Sequence, residues 1–435
     1  MAKEKKKLSW PSILTLLFTA VVVGGCFVLF AFFRTDADVP MRAMQVAGIL
    51  TGRSSAPIAT QEPPKIVTTV VMPSAAPAVP VNQVTTVQQT PQYAPPEITL
   101  TLAGEAAFES NISDTVYDKQ LQDCDFENVL SQIGADNRGE IRIVSLPQVM
   151  NAVGRKYNDQ QCPPSAAVEL HRACFNVGVI QGNTLASGAQ SALETADILY
   201  QNGLNPCGIN GGQAAQTLIV EQNSLRIAVI SYTEKLSNKA ASALQSTAGQ
   251  GILNVVTEDE LTQAITNARN QGCHCVIVYY RWSKTDIAQV TDQMRDTAME
   301  LTAAGADIIV GTGPSRLLPA AKLRTSDADG TERESLVLYS MGTLLSESRE
   351  GNDLSGALVH VKIRGKGNGV QIEGLSYTPT YIWKQRFSGV DAYQVIASAK
   401  DVPEKMSSGQ KDVMERCKTR TDNALSSLLQ LAFGE

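Results

Sequence analysis

Glu105, Asn183, Arg281, Thr312, Ser315 and Thr343 are the residues of this chain whose types and positions could do chemistry. Each follows an apolar run with strand character, at 98–103, 175–180, 275–280, 307–311 or 336–341. The carboxyl ends of strands are where sites assemble in α/β sheets. An arginine ringed by hydroxyls and an amide is suited to binding a carboxylate or phosphate. Alternatively, Glu105 and Arg281 could form an ion pair that fills the same space, since a buried carboxylate without a partner is costly. Both readings are open at this point. The three histidines, His171, His274 and His360, fall at a helix end, at the start of a strand and within a late strand. None lies in a candidate loop, so a serine or cysteine nucleophile there lacks a base. No Gly-rich phosphate loop follows a strand, and Gly365, Gly367 and Gly369 read as a hairpin turn.

The elements that must position these residues alternate in type. After the first strand, a helix is expected over 118–133, a strand over 141–146 and a proline-initiated helix over 163–172. A helix over 188–202 leads to a short strand at 204–208, and a hairpin joins 217–220 to 225–232 around Gln222-Asn223-Ser224. Helices over 257–270 and 287–304 flank the strands at 275–280 and 307–311. Strands at 336–341, 357–363 and 370–377 and a helical tail over 408–431 complete an α/β domain with an antiparallel C-terminal half.

In this setting the loops have a recognisable order. Gly104-Glu105, Gln181-Gly182-Asn183-Thr184-Leu185-Ala186-Ser187-Gly188, Tyr280-Arg281-Trp282-Ser283, Gly305 through Ser315, and Tyr339-Ser340-Met341-Gly342-Thr343 together resemble the capsule-biosynthesis CapA, or poly-gamma-glutamate synthesis, family. The resemblance covers about 97–385 and implies an α/β sandwich of the calcineurin-like metallophosphoesterase type. The family pattern has Gly-Asp at Gly104-Glu105, Asn-Asn-His at Gln181-Gly182-Asn183 and His-Trp-Gly at Arg281-Trp282-Ser283. It has Gly-His-His-Pro-His at Gly311 through Ser315 and Ser-Leu-Gly-Asn at Ser340 through Thr343, while its Asn-Leu-Glu corresponds to Ser145-Leu146-Pro147. Scaffold residues are kept and metal-ligand types are replaced. Thr, Ser and Gly are weak ligands or none, and the permanent charge of Arg281 repels a cation. No divalent metal or other cofactor is therefore expected. The resulting candidate is a vestigial pocket of Glu105, Gln181, Asn183, Arg281, Thr312, Ser315 and Thr343, with no residue assigned a catalytic role.

Residues 9–33 contain no charge and are long enough to cross the ~30 Å hydrocarbon layer as a helix. Lys3, Lys5, Lys6 and Lys7 precede them and favour a short cytoplasmic tail at 1–8. Residues 34–96 read as a linker, and from about Ser54 to Pro96 prolines at 57, 63, 64, 73, 77, 80, 91, 95 and 96 favour an extended stalk. The expected organisation is this anchor and stalk, an α/β domain over 97–385 and a helical extension over 386–435. It implies a single-pass cell-membrane protein with its bulk outside the cytoplasm.

The chain has 435 residues, a net charge of −6 and eight cysteines. This acidity argues against nucleic acid as a partner. Seven cysteines lie beyond the apolar segment, and in an exported protein one or two disulfides are expected, with Cys124 and Cys162 one candidate pair. Cys273-His274-Cys275 has ligand-type residues whose cysteines would share a strand face, without a second cluster to complete a zinc site.

Three functions follow as expectations. The first is a non-catalytic accessory or scaffold in making or anchoring an envelope polymer, with polymer-synthesis proteins or the polymer as partners. The second is a polymer- or anion-binding module using the pocket or Tyr377, Tyr381 and Trp383. The third is a residual metal-dependent hydrolase or transferase using Glu105 and Asp307. Removing residues 1–33 should move the protein from the membrane pellet to the soluble fraction; retention in the pellet would contradict the anchor.

Overall fold

Runs such as Cys275–Arg281 and Ile308–Thr312 are apolar on both faces, as strands covered on both sides must be. The computed structural model describes residues 94–151, 158, 160–326, 330, 332–348, 354–387, 390–397 and 402–431. The expected tail and membrane segment, and the linker up to residue 93, lie outside them. Among the described residues no helix is long and apolar enough to cross a membrane.

The first sheet contains β1 (Glu97–Ala106), β4 (Ile141–Leu146), β5 (Val177–Ile180), β6 (Asn205–Cys207), β13 (Thr343–Leu345), β14 (Ser355–Lys366), β15 (Gly369–Phe387) and β16 (Val390–Ala397). Its order is β16-β15-β14-β1-β4-β5-β6, with β13 paired to the end of β1. From β1 to β6 the strands are parallel, while β14, β15 and β16 are joined antiparallel. The second sheet is built from β7 (Thr217–Gln222), β8 (Leu225–Thr233), β9 (Cys275–Arg281), β10 (Ile308–Thr312), β11 (Leu317–Ser326) and β12 (Glu332–Met341). Its order is β11-β12-β10-β9-β8-β7. A two-residue pairing joins β2 (Tyr117–Asp118) to β3 (Asp123–Cys124).

The sheets face each other through one apolar layer. Leu100, Leu102, Ile143 and Val179 of the first pack with Val229, Ile277, Val310 and Leu338 of the second. The Tyr279 hydroxyl reaches across it to the carbonyls of Ala103 (3.5 Å) and Ile143 (3.4 Å). Helices α2 (Ser165–Arg172) and α3 (Ala189–Gln201) contribute Ala166, Leu170, Ala192 and Leu199 to the core on the outer face of the first sheet. Helices α5 (Glu258–Asn270) and α6 (Asp292–Ala304) cover the second through Leu261, Ile265, Ala298 and Leu301. The result is a mixed α/β sandwich. Helices α1 (Ser110–Thr115) and α4 (Asn238–Leu244) are shorter, and α7 (Ser408–Leu425) packs against β11, β14 and β15.

Several sequence expectations are corrected. No helix forms over 118–133. The Asp118 carboxylate takes the amides of Gln120 (2.6 Å) and Leu121 (3.2 Å), and Gln122 has φ 55°. Local side-chain bonding thus competes with the helix. Helix α6 starts at Asp292 rather than 287, where the Thr291 hydroxyl caps Met294 N. Strand β11 has no counterpart among the expected elements. The 386–435 stretch is not purely helical, because β16 extends the first sheet before α7 begins. No disulfide forms among the described cysteines; the Cys124 thiol instead donates to Ser113 O at 3.3 Å. Cys273 packs on the helix side of the second sheet and Cys275 between the sheets, so they do not share a face.

All three histidines have structural surroundings. The His274 Nδ1 accepts from Arg226 N (3.0 Å), the His171 ring fills the space beside Gly203, and His360 Nδ1 lies 3.0 Å from Thr101 Oγ1. Burial holds His360 below the ordinary imidazole pKa.

The second sheet is locked at the amino ends of its central strands. Arg269, in the last turn of α5, donates to the carbonyls of Gly305 (2.7 Å) and His274 (2.8 Å) and to Asp307 Oδ2 (2.5 Å), which also accepts from Val276 N (2.7 Å). Substituting Arg269→Met should destabilise the fold by about 3 kcal/mol in urea unfolding, because it strands Asp307 and several carbonyls. An unchanged midpoint would show that the knot contributes nothing.

Candidate functional site

The parallel strands of both sheets end on one side of the sandwich, and β1, β4 and β5 there meet β8, β9 and β10. Glu105 comes from the end of β1, where its Cα pairs with Ser145 and Thr343. Arg281 ends β9, paired with Thr233 on one side and Thr312 on the other. The approach at Gly104 is close: a Cβ there would lie 2.2 Å from Gly342 O. Only glycine lets β1 and the Gly342 turn come together in this way.

Arg281 and Glu105 form a direct ion pair through Nη1 and Oε1, one of the two arrangements open from the sequence, and their side chains are only 18% and 16% exposed. Burial lowers the Arg281 pKa, but a guanidinium starts high enough to keep its proton. Next to the pair lies Gln181, which is 1% exposed. Its Oε1 gathers Thr312 Oγ1 (3.0 Å), Ser145 Oγ (3.2 Å) and Arg281 Nη1 (3.5 Å), while its Nε2 donates to Thr312 Oγ1 at 2.8 Å. Thr233 Oγ1 accepts from Gly182 N (3.0 Å) and closes the edge of the group.

Glu105, Gln181, Arg281 and Thr312 are therefore brought together, and the other three candidates lie around them. Asn183 secures the following loop, accepting from Ser237 N (2.7 Å) and donating to Lys235 O (3.4 Å). Thr343 donates to the backbone carbonyl of Ser315 at 3.3 Å. Sequence reasoning misses Thr233, because the apolar pattern ends the strand one residue early, at 232. It marks Ser145 only as a replaced position and does not reveal its bond to Gln181.

This arrangement does not fit a divalent metal. An arginine, an amide and hydroxyls converge where imidazoles and carboxylates would be needed. Among the described residues no group of three or more His, Cys, Asp or Glu is placed to hold a metal ion. Asp307, considered for residual catalysis, precedes the five-residue β10 and so lies roughly 15 Å from its far end, Thr312. Its carboxylate is engaged by Arg269. Two small cavities flank the centre, one beside Thr233 and Leu236 and one beside Glu234 and Trp282, and neither is lined by Glu105 or Arg281.

The aromatic segment is no open platform either. Tyr381 and Trp383 are buried with Met414 and Cys417 of α7, and Tyr377 donates to Asp422 at 2.9 Å.

Replacing Arg281 with Met should cost about 3 kcal/mol by leaving Glu105 partly buried without its partner, and adding Glu105→Gln should restore much of that loss. Additive effects in urea unfolding of the two single variants and the double variant would show that the pair is not coupled.

Comparison with known proteins gives a family placement. No curated protein matches the chain at a significant level. Among solved structures it is similar to a 5'-nucleotidase precursor from Thermus thermophilus (11% identity, TM-score 0.39, 75% of this chain and 58% of that one). It is also similar to the NAD nucleotidase NadN of Haemophilus influenzae (11%, 0.41, 76% and 63%) and to the calcineurin-like phosphoesterase YfkN of Bacillus subtilis (11%, 0.39, 77% and 100%). The chain thus spans less than two thirds of the length of the first two. The sequence profile of the bacterial capsule synthesis protein PGA_cap matches residues 99–348, which include every strand end of the Glu105–Arg281 centre. With more than half of its length covered by that profile, the chain belongs to the bacterial capsule synthesis protein PGA_cap family.

Proposed function

We propose that this chain is a non-catalytic accessory or scaffold protein in the synthesis or anchoring of a capsule or envelope polymer of the poly-gamma-glutamate kind. In this reading its N-terminal segment holds it at the cell membrane, and membrane-bound polymer-synthesis proteins are its partners. The observation that carries the non-catalytic part is the Glu105–Arg281 pair with its bond to Gln181. Metal-assisted hydrolysis needs a cation to activate water and neutralise charge on the substrate. Here a guanidinium takes the position of positive charge, and it is spent on the neighbouring carboxylate. An arginine of this kind offers no activated water, and no described histidine stands ready as a base. Family membership supports the link to capsule polymer, while fold alone does not fix an activity.

The test is complementation combined with turnover. In cells lacking the chain, the folded Glu105→Gln/Arg281→Met variant should restore surface polymer to the wild-type level. The purified wild-type protein should leave p-nitrophenyl phosphate unhydrolysed in the presence of manganese. Loss of polymer with the folded variant, or manganese-dependent turnover abolished by Glu105→Ala, would overturn this function.

A further inference from the structure

Outside the strand-end centre, one buried carboxylate has incomplete bonding. Glu169 of α2 is 1% exposed within the core on the outer face of the first sheet. Its Oε1 accepts from Leu130 N at 2.7 Å, and its Oε2 is buried with no hydrogen-bond partner. Leu130 belongs to the segment 125–131 that takes the place of the expected helix. That segment is attached on its other side by Val395 N of β16, which donates to Val129 O at 2.7 Å. It also carries Phe126, whose ring packs edge-on against Phe108 with centroids 4.9 Å apart. Phe108 follows Glu105 by three residues, so the segment buttresses the loop leading away from the ion pair.

We propose that Glu169 is a pH-sensitive latch: its neutral form holds the segment 125–131 against α2, and its ionised form releases it. An ionised carboxylate at this depth would need partners for both oxygens, and only one has a donor. The charged groups facing it are Arg172 from its own helix and Asp125 and Glu127 from the segment. The Leu130 N–H bond and Arg172 favour a negative charge at Glu169 and the two acidic groups oppose it, so the release on ionisation comes from the burial of a charge whose second oxygen has no donor. Burial is the largest influence and raises its pKa to about 7. In an unfolded chain the group would ionise near the ordinary glutamate value of 4.5. The folded form therefore holds a proton between these values that the opened form gives up. Stability from this group is fully present below about pH 4.5 and is lost as pH rises through about 7.

Hydrogen exchange on the full chain, corrected for intrinsic rates, tests the latch without any substitution. Opening of the segment 125–131 should increase on the order of a hundredfold between pH 5 and pH 8, with strands β9 and β10 unaffected. The Glu169→Gln variant keeps an acceptor for Leu130 and should abolish that dependence. Equal opening of the segment at both pH values, or the same pH dependence in a folded Glu169→Gln variant, would overturn the proposal. Should the variant fail to fold, the wild-type exchange still decides the question.

Discussion

Glu105 and Arg281 approach each other from different sheets, and neither could remain at its depth without the other. Removing a carboxylate or a guanidinium from water costs several kcal/mol, which only close opposite charge and hydrogen bonding offset. The surrounding residues follow from that requirement. Gln181 presents an acceptor toward the guanidinium, and Thr312 and Ser145 give the amide its remaining bonds. Gly104 lets β1 pass the Gly342 turn closely enough to bring its carboxylate forward. The two sheets are thus joined at one end by a polar group that is nearly closed to solvent, and along their length by an apolar layer.

The rest of the sandwich keeps that meeting point fixed. Parallel central strands in both sheets bring their carboxyl ends to one side, while the Arg269–Asp307 knot locks the opposite ends of β9 and β10. Charge at the two ends has different consequences. At the knot, Asp307 is tied to arginine and backbone and is unavailable for chemistry. At the centre, a carboxylate that would suit a cation is neutralised by an arginine from the same chain.

Much of this is legible in the sequence because it rests on short-range patterns. Apolar runs bounded by Gly, Asn and Thr place the central strands, and the helix expected over 257–270 forms as α5, where the structure shows a capping box at Thr257. The Glu105–Arg281 pairing can be anticipated because both residues end expected strands and have opposite charge. What cannot be read depends on tertiary bonding. The stretch 118–133 has helical spacing, yet aspartate side chains and the attachment of Leu130 to Glu169 fold it into turns. Asn183 and Ser315 have suitable chemistry for a pocket, but neither sequence position nor residue type reveals that Asn183 is used to brace the following loop. Thr233 escapes notice because strand ends are set by pairing with Arg281, which a single sequence does not show.

The chain belongs to the capsule synthesis family, and at its strand-end centre an arginine faces the carboxylate of Glu105. We propose that the Glu105–Arg281 pair takes the place of a cation. Isothermal titration of the purified protein with Mn²⁺ and Zn²⁺ tests it most directly. The wild-type protein should show no stoichiometric binding at micromolar metal. A one-to-one site that disappears in a folded Glu105→Gln variant would contradict it.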